Sequence, residues 1–356
     1  MNYKNILIIK LSAIGDVIHA LPVASALKKN NPNTKITWIV EKPAHDLLTN
    51  NPYIDEIIIF DKKQYKSLIG LFMNGSKLAR ELQSRKFDLV LDLQGLFKSA
   101  AIALLSGAKT KFVYCNAREL SSLVSKRVCG QNSEGHVVDR YLDVVRHIGG
   151  TVNQPHFEVN NTAKEVQDTK TIAVQAGINI VKPYAVLAPG TNWPNKCWPT
   201  TYFAELGDML FDDGVIPVVI GGPKDAKLYK EIASNMKTPP INLVGKTSLK
   251  ELSYIIKQSK VFIGGDTGPM HLAVAVGAPV IALFGPTDPQ RNGPYGDKHK
   301  VILTPWECRG CWKRKCHKNI DCLAGISPTV VYTEFCKMMK KYQTNHSVMG
   351  DSRLHE

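Results

Sequence analysis

No stretch of this chain approaches the ~18–20 consecutive apolar residues of a membrane span. Met1-Asn2-Tyr3-Lys4 leads straight into a strand-like run, where a secretory signal would place its apolar core. The expectation is a protein that stays in the cytoplasm. Acidic residues are scarce beside basic ones, 31 against 45, for a formal net charge of +14. Such an excess points to an anionic partner: nucleic acid, an acidic membrane face or a phosphorylated substrate. The full dinucleotide glycine pattern is missing from both of the candidate strand-to-helix turns. Gly245-Lys246-Thr247 ends like a nucleotide-triphosphate loop, but such a loop needs a glycine where Pro240 stands, so a kinase or ATPase is excluded. Eight cysteines in a cytoplasmic chain of this length argue against a disulfide framework.

At 356 residues the chain exceeds the usual size of a single core, so two α/β domains are expected. In the first half, strand-like runs at 6–9, 36–40, 57–60, 89–91 and 112–114 alternate with helical patterns at 17–29 and 67–83. In the second half, runs at 184–188, 215–220, 241–244, 261–263, 280–284 and 301–303 alternate with helical patterns at 201–211, 226–235, 249–258 and 270–276. Alternation of this kind implies βαβ units and mostly parallel sheets. The weaker periodicity of 153–183 reads as a connector, with a short helix after Thr162. Ser327-Pro328 starts a last helix, and from Gln343 onward no apolar pattern remains, the composition of a disordered tail.

The most informative turn is Val261-Phe-Ile-Gly-Gly-Asp266-Thr267-Gly268-Pro-Met-His271, where an apolar run ends in two glycines and a helix begins. The unpaired amides of a helix start suit phosphate. The first half has a counterpart in Ile6–Lys10 followed by Leu11-Ser12-Ala13-Ile14-Gly15-Asp16. Asp16 is either a helix N-cap or a catalytic base at the sheet edge that binds ligands. Pro189-Gly190-Thr191-Asn192 with Lys196, and Gly221-Gly222-Pro223-Lys224-Asp225, repeat the placement at two further strand ends. Each alone is an ordinary surface turn; several at successive strand ends offer donors to a diphosphate.

Cys308, Cys311, Cys316 and Cys322 are spaced C-x2-C-x4-C-x5-C among basic residues. Four thiolates could hold a structural zinc; the alternative is a loop of reduced thiols, whose oxidation the neighbouring cations would ease. Lys62, Lys63, Lys66, Lys98, Arg118, Arg127, His136 and Arg140 supply a basic set in the first half. Solvated surface charges are the common outcome, but a phosphorylated acceptor would explain them together.

Taken in order, Lys10–Asp16, Asp92-Leu-Gln-Gly95 with Lys98, Pro189-Gly-Thr191 with Lys196-Cys-Trp-Pro199, Gly265–His271 and Phe284-Gly-Pro-Thr-Asp-Pro289 resemble the ADP-heptose:lipopolysaccharide heptosyltransferases of glycosyltransferase family 9. The similarity runs from about Ile6 to Tyr332, and Asp92-Leu-Gln-Gly-Leu-Phe-Lys-Ser99 looks most like heptosyltransferase I. The resemblance implies a GT-B fold of two Rossmann-like domains facing a cleft. An acceptor domain would span 1–165, a connector 166–183, a nucleotide-sugar domain 184–326, a helix 327–342 and a tail 343–356.

It further implies an inverting transfer of heptose from ADP-heptose to the phosphorylated Kdo–lipid A inner core, with no cofactor, no catalytic metal and no nucleic-acid partner. Asp16 would be the general base. Asp266 would bind heptose hydroxyls, with Thr267, Gly268 and the helix amides on the diphosphate and His271 close by. Thr191, Asn192 and Lys196 would meet the departing ADP, although some members carry a second hydroxyl where Asn192 stands. Lys246, Thr247 and Asp225 would lie near the nucleoside. Lys62, Lys63, Lys66, Lys98, Arg118, His136 and Arg140 would face the acceptor, with the cationic first domain at the inner face of the inner membrane. A related transferase using another nucleotide sugar, or adding a later heptose, is the alternative.

Overall fold

The computed structural model describes residues 2–65, 68–179, 182–316 and 318–350. The chain falls into two compact units, Met1–Glu165 and Val166–Glu356. In the first unit six strands, β1 (Asn5–Ile9), β2 (Lys35–Val40), β3 (Glu56–Ile59), β4 (Leu89–Asp92), β5 (Thr110–Tyr114) and β6 (Lys126–Val128), form a sheet in the order β3-β2-β1-β4-β5-β6. Every neighbouring pair is parallel. The crossovers carry α1 (Ile14–Asn30), α2 (Lys42–His45), α3 (Leu68–Ser84) and α4 (Phe97–Leu105), and α5 (Val137–His147) follows the last strand. Because helices cover both faces, the central strands carry unbroken apolar runs rather than apolar residues at alternate positions. Ile6, Leu7, Ile8 and Ile9 of β1 are all fully buried, and Leu7 and Ile9 pack with Leu78 and Leu82 of α3 and Ile102 of α4.

The second unit repeats the design. β7 (Tyr184–Ala188), β8 (Ile216–Val219), β9 (Ile241–Asn242), β10 (Val261–Gly265), β11 (Val280–Phe284) and β12 (Lys300–Leu303) form a second parallel sheet, in the order β12-β11-β10-β7-β8-β9. Its helices are α6 (Ala163–Gln175), which starts just before the boundary, α7 (Thr200–Asp212), α8 (Ala226–Asn235), α9 (Leu249–Gln258), α10 (Gly268–Ala275), α11 (Pro289–Asn292) and α12 (Pro328–Gly350). Val331 and Phe335 of α12 are buried in the core under Phe203 and Leu206 of α7. In each sheet the chain starts at the centre, builds one edge, then returns to build the other. The strands beside each return, β1 with β4 and β7 with β10, send their chains to opposite faces and open a crevice at their carboxyl ends.

Two expectations change. The helix expected to stop near residue 342 continues through Gly350, so the segment read as a tail is helical that far. Residues 351–356, and Ile180 and Val181 of the connector, lie outside the described residues. Among those described, no helix is long and apolar enough to cross a membrane.

Candidate active site

The second unit gathers expected donor residues at the carboxyl ends of four neighbouring strands, Thr191 after β7, Asp225 after β8, Lys246 after β9 and Asp266 after β10, with Thr287 beside them after β11. Lys196 and Asp266 close the β7/β10 crevice from its two sides. The Lys196 ammonium donates to Asp266 Oδ2 at 2.5 Å, the Thr287 hydroxyl donates to the same oxygen at 2.8 Å, and His271 Nε2 lies 3.4 Å from Oδ1. Burial would raise the Asp266 carboxyl, but the His271 hydrogen bond and the Lys196 charge outweigh it and hold the group well below the usual carboxylate range. The backbone makes this approach possible. A Cβ on Gly265 would stand 2.9 Å from the Lys196 carbonyl, so only glycine lets the two loops meet.

A carboxylate has about four lone-pair sites, and the three side chains leave Asp266 room for one more donor, such as a sugar hydroxyl. At the start of α10, Pro269 has no N–H and the Met270 and His271 amides turn back to the Thr267 carbonyl. The helix start thus offers a ligand the Gly268 amide and the Thr267 hydroxyl, which is buried without a hydrogen-bond partner. That is fewer amides than a free helix end supplies. Lys196 also stands 4.6 Å from the Trp193 ring centroid, and the Arg314 guanidinium 5.6 Å from it, so two cations flank one indole beside the pair.

Other predicted donor residues are tied into their turns. The Thr191 hydroxyl accepts the Trp193 amide at 3.0 Å, and Asn192 Oδ1 accepts the Lys224 ammonium at 2.6 Å. Asp225 is buried, accepts the Gly222 amide at 2.8 Å and presses so closely on Gly190 that a Cβ there would meet its carboxyl at 2.5 Å. Its carboxylate shapes the turn. Lys246 is exposed and Thr247 half-buried, on a loop fastened by the Gly245 amide to the Gly221 carbonyl at 2.9 Å.

In the first unit Asp16 is half-buried in the first turn of α1. Its place corrects the N-cap reading: Ala13 is the N-cap, and Asp16 Oδ2 reaches back to the Ala13 amide at 3.1 Å. The loop before it is fastened across the β1/β4 crevice by Gln94, whose Oε1 accepts the Leu11 and Ser12 amides at 3.0 and 3.2 Å. Gln94 is set in turn by Asp92, whose Oδ1 accepts the Gln94 and Gly95 amides while Oδ2 accepts the Ser99 hydroxyl. Beneath lies a buried ammonium, Lys10, donating to the Leu93 carbonyl at 3.0 Å and the Tyr141 hydroxyl at 2.8 Å. Gln94 and Thr287 were not singled out as site residues, although both lie inside the segments that carry the family resemblance.

Burial pushes the Asp92 carboxyl up to about 6, against the lowering effect of its hydrogen bonds and of Lys10. The unfolded value is about 3.9, so the folded state holds this proton more tightly. The group's contribution to stability is therefore fully present below that value and is lost as the pH rises through about 6. The loss is roughly 2–3 kcal/mol. Asp92→Asn should flatten the denaturation midpoint between about pH 4 and pH 7. A variant with the parent's pH slope would contradict this origin.

The acceptor cations divide. Lys62 and Lys98 converge on Glu41, a buried carboxylate that the sequence reading passed over, at 3.2 and 2.8 Å. Arg118 and Lys63 are exposed. His136 caps α5, its Nδ1 accepting the Val138 amide, and meets His19 edge-on at 5.5 Å. Arg140 is buried and donates to the Gly135 carbonyl at 2.8 Å, so it supports the loop before α5. Lys66 lies outside the described residues.

The cysteines correct one expectation. Cys115 and Cys129 are joined in a disulfide. The register pairs Tyr114 with Val128, which brings the next residue of each strand face to face. In the C-terminal cluster, among the described residues, no three His, Cys, Asp or Glu side chains gather as a metal site. Cys322 is buried with its sulfur against Gly285, and burial followed by the neighbouring thiols pushes its own thiol up to about 11. The cysteine-rich segment instead braces the site. The Gly310 and Trp312 amides donate to the Gly285 and Pro286 carbonyls before Thr287, and Asn195 Nδ2 donates to the Lys313 carbonyl.

The model of glycosyltransferase family 9 (heptosyltransferase) matches residues 76–320. The chain belongs to this family. It is a glycosyltransferase, with the GT-B fold class of its structural neighbours. Lipopolysaccharide core heptosyltransferase OpsX of Haemophilus influenzae is 28% identical over 84% of this chain and 84% of its own. A solved family 9 glycosyltransferase from Veillonella parvula superposes with a TM-score of 0.84 at 25% identity, covering 96% of this chain and 98% of that one. Escherichia coli heptosyltransferase WaaC, solved with ADP, superposes at 0.74 and 25% identity, covering 94% and 99%. Relatives from Escherichia coli at similar identity include lipopolysaccharide heptosyltransferases 1, 2 and 3.

Proposed function

We propose that this enzyme transfers heptose, with inversion, from ADP-heptose to the phosphorylated Kdo–lipid A inner core of lipopolysaccharide. The observation that carries the reading is the Lys196–Asp266–His271–Thr287 constellation at the β7/β10 crevice. It sets a cation where a diphosphate's charge would grow and a carboxylate beside it for neutral sugar hydroxyls. Solved relatives bind ADP and ADP-2-deoxy-2-fluoro heptose, which supports this donor.

Asp16 takes the proton of an acceptor hydroxyl, whose oxygen forms a bond to the anomeric carbon. The bond from that carbon to the ADP oxygen breaks on the opposite face, so one displacement inverts the centre. Lys196, with the Thr267 hydroxyl and the Gly268 amide, neutralises the charge arriving on ADP, a task that depends on donors already oriented before reaction. The exposed cations of the first unit, Lys63 and Arg118, meet the phosphorylated acceptor, and the enzyme works peripherally at the inner face of the inner membrane. A later heptose position is the second reading, favoured by the matches to heptosyltransferases 1, 2 and 3 alike.

The test is incubation of the purified chain with ADP-heptose and deep-truncated lipopolysaccharide, read by acceptor mass. A gain of one heptose is expected. No gain on that acceptor, with a gain on one already bearing heptose, selects the second reading; no gain on either rejects both. ADP, but not UDP, should raise the thermal midpoint.

A further inference from the structure

We propose that the first unit docks on an anionic phospholipid bilayer through an apolar ledge built from α4 and the 117–123 turn, with the cations Arg118, Lys126 and Arg127 on the same segment of chain. The proposal deepens the reading above and rests on its lipid-borne acceptor. Phe97, Leu104, Leu120 and Leu123 are 67%, 62%, 68% and 80% exposed. Single apolar residues on a surface need no explanation. These four, however, lie on two elements that are fastened together.

Phe97 and Leu104 stand two turns apart on one face of α4, and α4 packs against the 3-10 turn Ser121–Leu123. The Phe97 amide donates to Glu119 Oε2 at 3.1 Å, and the Arg118 amide donates to the Gly95 carbonyl at 2.8 Å. Glu119 is the acid on this ledge. The turn holds Glu119 and Leu120 in the left-handed region, at φ +53° and +61°, a conformation unfavourable for residues with a Cβ. An ordinary solvent turn would carry glycine or asparagine there; this one lifts a bare leucine into solvent. The Cys115–Cys129 disulfide closes the stem of the segment that carries both leucines and all three cations.

The chemistry of the rim selects the occupant. Arg118, Lys126 and Arg127 are exposed, and the Arg127 guanidinium reaches the Ala117 carbonyl at 3.4 Å, which keeps it at the base of the turn. Exposed apolar side chains beside exposed cations match a bilayer, where the former reach the acyl boundary while the cations meet headgroup phosphates. A second copy docking here about a two-fold axis would set cations on cations. Nucleic acid would engage the cations but leave the apolar side chains unused.

The test is sedimentation of the full chain with vesicles of phosphatidylethanolamine containing a minority of phosphatidylglycerol. The F97Q/L120N/L123Q variant should bind at least about tenfold more weakly than the parent, because three apolar side chains no longer leave water. Asparagine suits the left-handed position of residue 120, and an unchanged thermal midpoint will report that the fold is kept. A second variant, K126Q/R127Q, should lose binding to these vesicles and not to ones of phosphatidylethanolamine alone. Parent-like vesicle binding by F97Q/L120N/L123Q overturns the proposal, as does a change confined to self-association. A parent that binds vesicles through these residues yet moves no heptose to any acceptor supports the docking face and rejects the acceptor reading instead.

Discussion

Asp16→Asn is expected to lower heptose transfer by about 10²–10⁴-fold, the range for loss of a general base, with ADP affinity nearly unchanged. The asparagine is nearly isosteric and can still accept the Ala13 amide through its carbonyl oxygen, so the start of α1 keeps its fastening. What it cannot do is take a proton. The Gln94 side chain holds the preceding loop in either case, so a fall in rate reports chemistry and not a displaced loop. ADP affinity is insulated because the proposed donor residues all belong to the other unit, Val166–Glu356. Single-turnover transfer read by acceptor mass, beside calorimetric titration with ADP, separates the two effects. Parent-like transfer by the variant would remove Asp16 from the mechanism.

Lys196→Ala carries the second large effect, because the ammonium holds Asp266 and, in the proposed mechanism, also meets the leaving group. Removing an electrostatic donor of this kind lowers kcat by about 10²–10³-fold. Removing one partner of a buried pair leaves the other charge uncompensated, at a cost of about 3–5 kcal/mol. Thr287 and His271 remain on Asp266 and moderate that cost. The double variant K196A/D266N should recover most of the stability while transfer stays low, since the stranded charge is gone but the donor is still missing. A single variant with the parent's kcat would contradict the role. The depressed Asp266 carboxyl gives the pair a pH signature: its stabilisation is present above the ordinary carboxylate value and is lost as the pH falls below it. Denaturation in acid should therefore separate parent from K196A/D266N less than denaturation at neutral pH does.

The central strands were legible because burial on both faces demands unbroken apolar runs, as at Ile6–Ile9 and Val261–Ile263. β6 was not. Its Lys126-Arg127-Val128 carries two exposed cations at the sheet's edge and has no apolar pattern to read. The site shows the same division. Glycine-rich strand ends announced where a ligand would sit, since only such turns let backbone approach backbone. The sequence also displayed Lys62 and Lys98 as cations, yet the buried Glu41 that draws them together is separated from them by 21 and 57 residues.

What the sequence by itself determined is the class of molecule: two parallel α/β sheets, a cationic first half, and candidate ligand-binding turns at the carboxyl ends of particular strands. These follow from periodicity, charge and turn chemistry, which are local. Only the tertiary structure decided the pairings. Lys196 meets Asp266 across 70 residues and Thr287 meets it across 21, Gln94 fastens the Asp16 loop from 83 residues away, and Cys115 finds Cys129 through strand register. It also packed the Cys322 sulfur against Gly285, in a cysteine-rich segment that braces the site. The reason is physical: strand order decides which carboxyl ends become neighbours, and order arises from how the crossovers pack over the whole sheet.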